Sequence, residues 1–133
     1  KKMNLEIKFR AFDKARKEMF FLPVIDGENK NWLQIDKTGI NVGTKNGLLS
    51  GNEFELMQFT GFVDKKGNDI YKGDILRFDF HSKSYEVIWY DGAYYLRNGN
   101  QNARLSTTSL SGYYVVGNVF ENPEMLLVTQ ADA

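Results

Sequence analysis

The sequence predicts a mainly β protein built of antiparallel strands. Three observations carry that expectation. Apolar and polar residues alternate with period two in at least five segments of the 133-residue chain. Short clusters of Gly, Asn, Asp and Ser separate these segments at hairpin-like intervals. The clearest helix-start signal stands near the end, where Asn122 precedes Pro123-Glu124-Met125-Leu126-Leu127.

In Glu6 to Phe12, Ile7, Phe9 and Ala11 alternate with Lys8 and Arg10. Met19 to Val24 follows the polar loop Asp13-Lys14-Ala15-Arg16-Lys17 and pairs back as a hairpin. Trp32-Leu33-Gln34-Ile35 and Ile40-Asn41-Val42 flank the turn Asp36-Lys37-Thr38-Gly39, and Asn46-Gly47 predicts a type I′ turn. The composition of residues 26 to 50 is nonetheless loop-like, so the expectation is an irregular excursion from the core. Leu76, Phe78 and Phe80 open a meander that turns at residues 81 to 84, runs on as Tyr85 to Tyr90, turns at Asp91-Gly92 and returns as Ala93 to Arg97. Entered through Gly73-Asp74-Ile75-Leu76, this arrangement predicts a small SH3-like or related partly open barrel. Asn98 to Asn102 reads as a polar loop, Leu105 to Leu110 as a weak strand or extended connection, and Tyr113 to Val116 as a last strand. A short C-terminal helical turn and a frayed tail at residues 129 to 133 complete a single domain, 1–133.

Composition excludes several classes of function. With 42% hydrophobic and 14% aromatic residues and a formal net charge of zero, the chain can build a core. It has no cysteine, which removes disulfides, thiolate metal sites and cysteine nucleophiles and suits a cytoplasmic setting. Its apolar runs are far shorter than the ~20 residues of a membrane helix. Its beginning lacks the apolar stretch of a secretion signal, so neither membrane insertion nor export is expected. Charge is segregated: residues 1 to 50 carry ten Lys and Arg against six Asp and Glu, whereas residues 51 to 100 carry six against eight.

Motif by motif, structural readings outweigh catalytic ones. Gly61, Gly67 and Gly73 stand where the chain turns, and none belongs to a phosphate-binding loop that feeds a helix. Asp64, Asp69, Asp74 and Asp79 recur every five residues, which does not match the ligand spacing of a calcium loop. Asp74 is better placed to accept backbone N–H bonds, and Asp13 is better read as a turn former than as an acid catalyst. His81, the one histidine, falls in a predicted loop with no nominated nucleophile or acid beside it. No catalytic residue, metal ligand, cofactor or small-molecule substrate is inferred.

Three blocks taken together resemble the YopX protein family, small proteins found mainly in bacteriophages and prophages. The first is Ile7-Lys8-Phe9-Arg10-Ala11-Phe12-Asp13. The second contains Thr60-Gly61, Asp64-Lys65-Lys66-Gly67 and Ile70-Tyr71-Lys72-Gly73-Asp74-Ile75. The third is Val116-Gly117-Asn118-Val119-Phe120-Glu121-Asn122-Pro123-Glu124-Met125-Leu126. The resemblance implies a phage- or prophage-encoded protein of the host cytoplasm. It gives Thr60, Gly61, Gly67, Tyr71, Gly73, Asp74, Gly117, Asn118, Asn122 and Pro123 as its motif residues, and it assigns no activity.

Aromatic residues supply the remaining expectation. Neighbours such as Tyr94 and Tyr95 point to opposite faces of a strand, so one core cannot bury them all. Lys8, Arg10, Lys14, Trp89, Tyr94 and Tyr95 therefore form the candidate binding surface. Neutral net charge favours a protein partner or self-association, and a nucleic-acid-binding β-barrel is the alternative.

Overall fold

A computed structural model describes residues 6–26, 29–79 and 81–126. The chain is mainly β; among the described residues all strand pairs are antiparallel and the helical content is the 3-10 turn Pro123–Leu126. It divides into two compact units, residues 1–58 and 59–133.

In the first unit, β1 (Phe9–Asp13) pairs with β2 (Glu18–Leu22) on one side and with the start of β7 (Phe54–Val63) on the other. A meander of β3 (Val24–Asp26), β4 (Asn29–Asp36), β5 (Gly39–Thr44) and β6 (Gly47–Leu49) fills the interval between them. Ala11, Leu22, Val42, Leu49 and Phe54 form its core. The expected excursion is thus regular: β4 runs for eight residues, and Val42 and Leu49 are core side chains. The β5–β6 turn is also fastened, because Asn46 Nδ2 donates to Glu18 Oε1 at 3.1 Å and Lys45 Nζ lies 3.1 Å from Glu18 Oε2. That turn is not type I′. Gly47 alone carries positive φ, +105°, and Asn46 does not.

The second unit is a half-barrel. Its five-stranded sheet runs in the order β12 (Gln101–Arg104), β11 (Ala93–Asn98), β10 (Tyr85–Tyr90), β9 (Asp74–Arg77), β13 (Tyr114–Asn118). Beside it, the end of β7 pairs with β8 (Asp69–Tyr71). Ile70, Leu76, Val87, Leu96, Leu105 and Leu110 fill the interior. Full burial of each such aliphatic side chain stabilises by about 1.5–3 kcal/mol.

Several boundaries differ from expectation. The segment read as a polar loop at 98–102 contains the start of β12, a polar strand whose pairing partner, β11, lies outside its own local pattern. Leu105 to Leu110 is a turn, tied by Ser109 Oγ to the Arg104 carbonyl at 2.7 Å. The strand expected to open at Leu76 runs from Asp74 to Arg77, and Phe78 lies in the following bend; Phe80 lies outside the described residues, as does the tail at 129–133.

Candidate functional site

The motif residues serve the backbone. Where Phe59 pairs with Tyr71 and Val63 with Asp69, four residues of β7 advance against two of β8, so β7 bulges. Thr60 and Gly61 make that bulge. Thr60 Oγ1 donates to the Ile70 carbonyl at 2.7 Å and accepts from the Phe62 amide at 3.2 Å, and Gly61 takes φ +92°. In the next turn, buried Asp64 accepts from the amides of Lys66 and Asn68 through Oδ1 and from Val115 through Oδ2. The Gly67 amide closes the turn onto the Asp64 carbonyl at 3.0 Å. Burial acts to raise the Asp64 pKa, but the hydrogen bonds from Val115, Asn68 and Lys66 outweigh it, and the group titrates below its ordinary value.

Asp74 is almost fully buried and accepts the Tyr71 amide at 2.8 Å, as the turn reading expected. Between them, Gly73 at φ +91° donates to the Val87 carbonyl and accepts from the Val119 amide, both at 2.9 Å. Tyr71 itself is buried, its ring 5.7 Å from that of Phe59. In the last block, Asn118 Oδ1 accepts from Phe120 and Glu121 amides, and its Nδ2 donates to Glu121 Oε1 at 2.8 Å. Asn122 does precede the helical turn, but its side chain turns back to accept the Asn118 amide at 3.1 Å. A Cβ at Gly117 would fall 2.6 Å from that same Asn122 oxygen, and Pro123 begins the 3-10 turn.

The predicted basic surface is corrected at its centre. Arg10 is only 5% exposed, and its Nε donates to Met57 Sδ at 3.3 Å. Lys8 and Lys14 are engaged by carboxylates, Glu6 at 3.6 Å and Glu55 at 3.1 Å. Asp13 is a turn former as expected, its Oδ1 accepting from the Ala15 and Arg16 amides. Its Oδ2, buried and without a hydrogen bond, lies 3.6 Å from Arg16 Nη1. These groups belong to the first unit, whereas the predicted aromatics belong to the second.

Those aromatics form one end of the β10–β11 hairpin. Asp91 at φ +50° and Gly92 at φ +80° make a tight turn that matches the right-handed strand twist. The register sets Trp89 opposite Tyr94, with ring centroids 4.8 Å apart in a T-shaped contact. On the other face Tyr90 meets Tyr95 at 6.1 Å. Trp89 is 53% exposed and Tyr90 64%. Tyr94 continues into the core and is half-buried, and burial raises its phenol above the ordinary value. Tyr90 was absent from the predicted surface; its place directly after Trp89 in a β-strand was the available signal. His81 is exposed in the 79–82 turn, where its amide donates to Asp79 Oδ1. Among the described residues, no group of three or more His, Cys, Asp or Glu is arranged to hold a metal.

No helix among the described residues is long and apolar enough to cross a membrane. Residues 8–127 match the family model described as YopX protein. No curated protein matches the chain. Among solved structures, the crystal structure of protein EF1440 from Enterococcus faecalis is similar: 28% identity, 92% of this chain and 99% of that chain covered, and a TM-score of 0.64.

Proposed function

The chain belongs to the YopX protein family, and from that premise we propose that it is a phage- or prophage-encoded, non-catalytic binding protein of the bacterial cytoplasm, acting by contact with another protein or with a second copy of itself. The observation that carries the reading is the end of the β10–β11 hairpin. Trp89 and Tyr90 are consecutive, project to opposite faces and are both more than half exposed. Large aromatic side chains lose little conformational entropy when they dock, and they anchor protein interfaces for that reason. A short, tight turn holds them on a rigid ribbon. The non-catalytic part of the proposal is supported by the carboxylates at the motif turns. Asp64 and Asp74 accept backbone amides, which leaves them poor candidates for proton transfer.

Light scattering over a concentration series, on the wild-type chain and on a Trp89→Ala/Tyr90→Ala double variant, tests the proposal. The expected result is a mass that rises with concentration in the wild type and stays monomeric in the variant. A constant monomer mass in both, together with identical retention of host proteins by the two immobilised chains, would overturn it.

A further inference from the structure

The outer face of the same hairpin carries a second chemistry, independent of which protein Trp89 contacts. Val87 and Leu96 are directly paired and buried, so their face of β10 and β11 is the inner one. The residues between them point outward. On that outer face the register aligns Glu86 with Arg97, Ile88 with Tyr95 and Tyr90 with Ala93. The edge strand β12 extends the row by setting Arg104 opposite Tyr95 and Asn102 opposite Arg97. Directly paired side chains have Cβ atoms about 4.5–5.5 Å apart. Tyr95 is therefore bordered by Tyr90 on one side and by Arg104 on another, with Arg97 two residues along its own strand.

Both guanidiniums are exposed, and among the described residues neither has an ion-pair partner. The same face continues past Arg97 into a cavity of about 410 Å³ lined by Ser84, Glu86, Arg97, Asn98, Gly99 and Leu126. Extending an apolar protein interface beyond Tyr90 along this face would strip water from two unpaired cations, which is costly without matching anions. A ligand that brings both flat rings and regularly spaced anions complements the two tyrosines and the two guanidiniums.

We propose that this face binds single-stranded nucleic acid, with bases stacked on Tyr90 and Tyr95 and backbone phosphates held by Arg97 and Arg104. Stacking on aromatic side chains is tolerant of sequence because every base has a π-face, and a guanidinium can pair with phosphate through two parallel N–H bonds. Glu86, opposite Arg97, opposes phosphate approach at that end of the row.

The test is fluorescence anisotropy with labelled oligo-dT and oligo-U on the full chain, between about 50 and 200 mM salt. Two phosphate contacts on a single strand give a log–log salt slope of about −1.4, or roughly a sevenfold loss of affinity over that range. Arg97→Ala/Arg104→Ala, at exposed positions that folding does not require, should abolish most of the slope. Tyr95→Ala should weaken binding at least about fivefold, and Tyr95→Phe, which keeps the ring, should restore it. Glu86→Gln should tighten binding, and Lys37→Ala, in the β4–β5 turn, should leave it unchanged. No saturable binding at the lower salt overturns the proposal. So does binding that is indifferent to Arg97 and Arg104, or competition by polyglutamate equal to that by oligonucleotide.

Discussion

The carboxylate of Asp64 accepts a hydrogen bond from the amide of Val115, 51 residues further along the chain, at 2.9 Å. One oxygen of a turn-forming side chain thus fastens β13 to the loop between β7 and β8, while the other closes the turn itself through Lys66 and Asn68. Asp64→Asn would place a donor or a weaker acceptor against those amides. The expected cost is about 1–3 kcal/mol, since a buried amide that loses a charged acceptor keeps its desolvation penalty. Urea denaturation at neutral pH checks it; an unchanged midpoint would show that the Val115 bond contributes nothing net.

The same carboxylate makes stability depend on pH in a defined direction. Its folded pKa lies below the ordinary value of 3.8. Its contribution is therefore fully present above the ordinary value and is lost as pH falls through the folded one. Wild type should lose stability below about pH 4 more steeply than Asp64→Asn, so that the gap between the two curves narrows in acid. Parallel curves over that range would refute the assignment.

Gly73→Val should destabilise more than Gly47→Ala. Both glycines have positive φ, +91° and +105°. Gly47 is exposed at a hairpin end with open space where a Cβ would stand. Gly73 is buried and hydrogen-bonded through both its N–H and its C=O, so it cannot relax to negative φ without breaking bonds to Val87 and Val119. A positive-φ L-residue costs roughly 1–2 kcal/mol, and a β-branched one in a fixed loop costs more. Thermal melts of the two variants give the order directly, and an equal or reversed order contradicts the argument.

What could be read from the chain was what neighbouring residues decide. Asp91-Gly92, Asp36 to Gly39 and the glycine corner from Gly61 to Gly73 are local turn chemistry, and they appear where the residues place them. Arg10 could not be read that way. Alternation with Phe9 and Ala11 assigns it to solvent only if one face of β1 is open, yet Arg10 and Met57, its cross-strand partner on the same face, are both buried. The polar strand β12 and the polar start of β4, ahead of Trp32, escaped for a related reason: each is strand by virtue of its partner's hydrogen bonds, not its own pattern. The outward row of Tyr90, Tyr95, Arg97 and Arg104 depends on register across three strands, which spacing along the chain does not specify.

Asn118→Ala should cost about 1–2 kcal/mol, because its side chain accepts two backbone amides beyond β13 and also donates to Glu121. Asn118→Asp separates those roles: it keeps the acceptor for Phe120 and Glu121 amides but turns the donor into a second carboxylate facing Glu121. That variant should recover towards wild type as pH falls and the carboxyl groups protonate. Denaturation of both variants near pH 4 and pH 7 tests this, and an Asp variant equally weakened at both would contradict the geometry.

Trp32 and Gly43 provide a prediction whose sign reverses with context. The two are directly paired across β4 and β5, and the indole lies on the glycine so closely that an added Cβ would stand 2.2 Å from Trp32 Cε2. Glycine in a strand interior ordinarily destabilises by about 0.5–1 kcal/mol relative to alanine, so removing it should help. Here the ring fills the space that the missing side chain leaves, and it shields the strand backbone in return. Gly43→Ala must push the indole away and lose that contact, worth about 1–2 kcal/mol for partial burial of so large a group. In a Trp89→Phe background, where Trp32 is the remaining tryptophan of the two in the chain, Gly43→Ala should destabilise and shift the emission to longer wavelength. In a Trp32→Ala background the same substitution should be neutral or stabilising, because only the glycine penalty is left to relieve. A double-mutant cycle with no coupling between the two positions would show that the indole does not rest on Gly43 in solution.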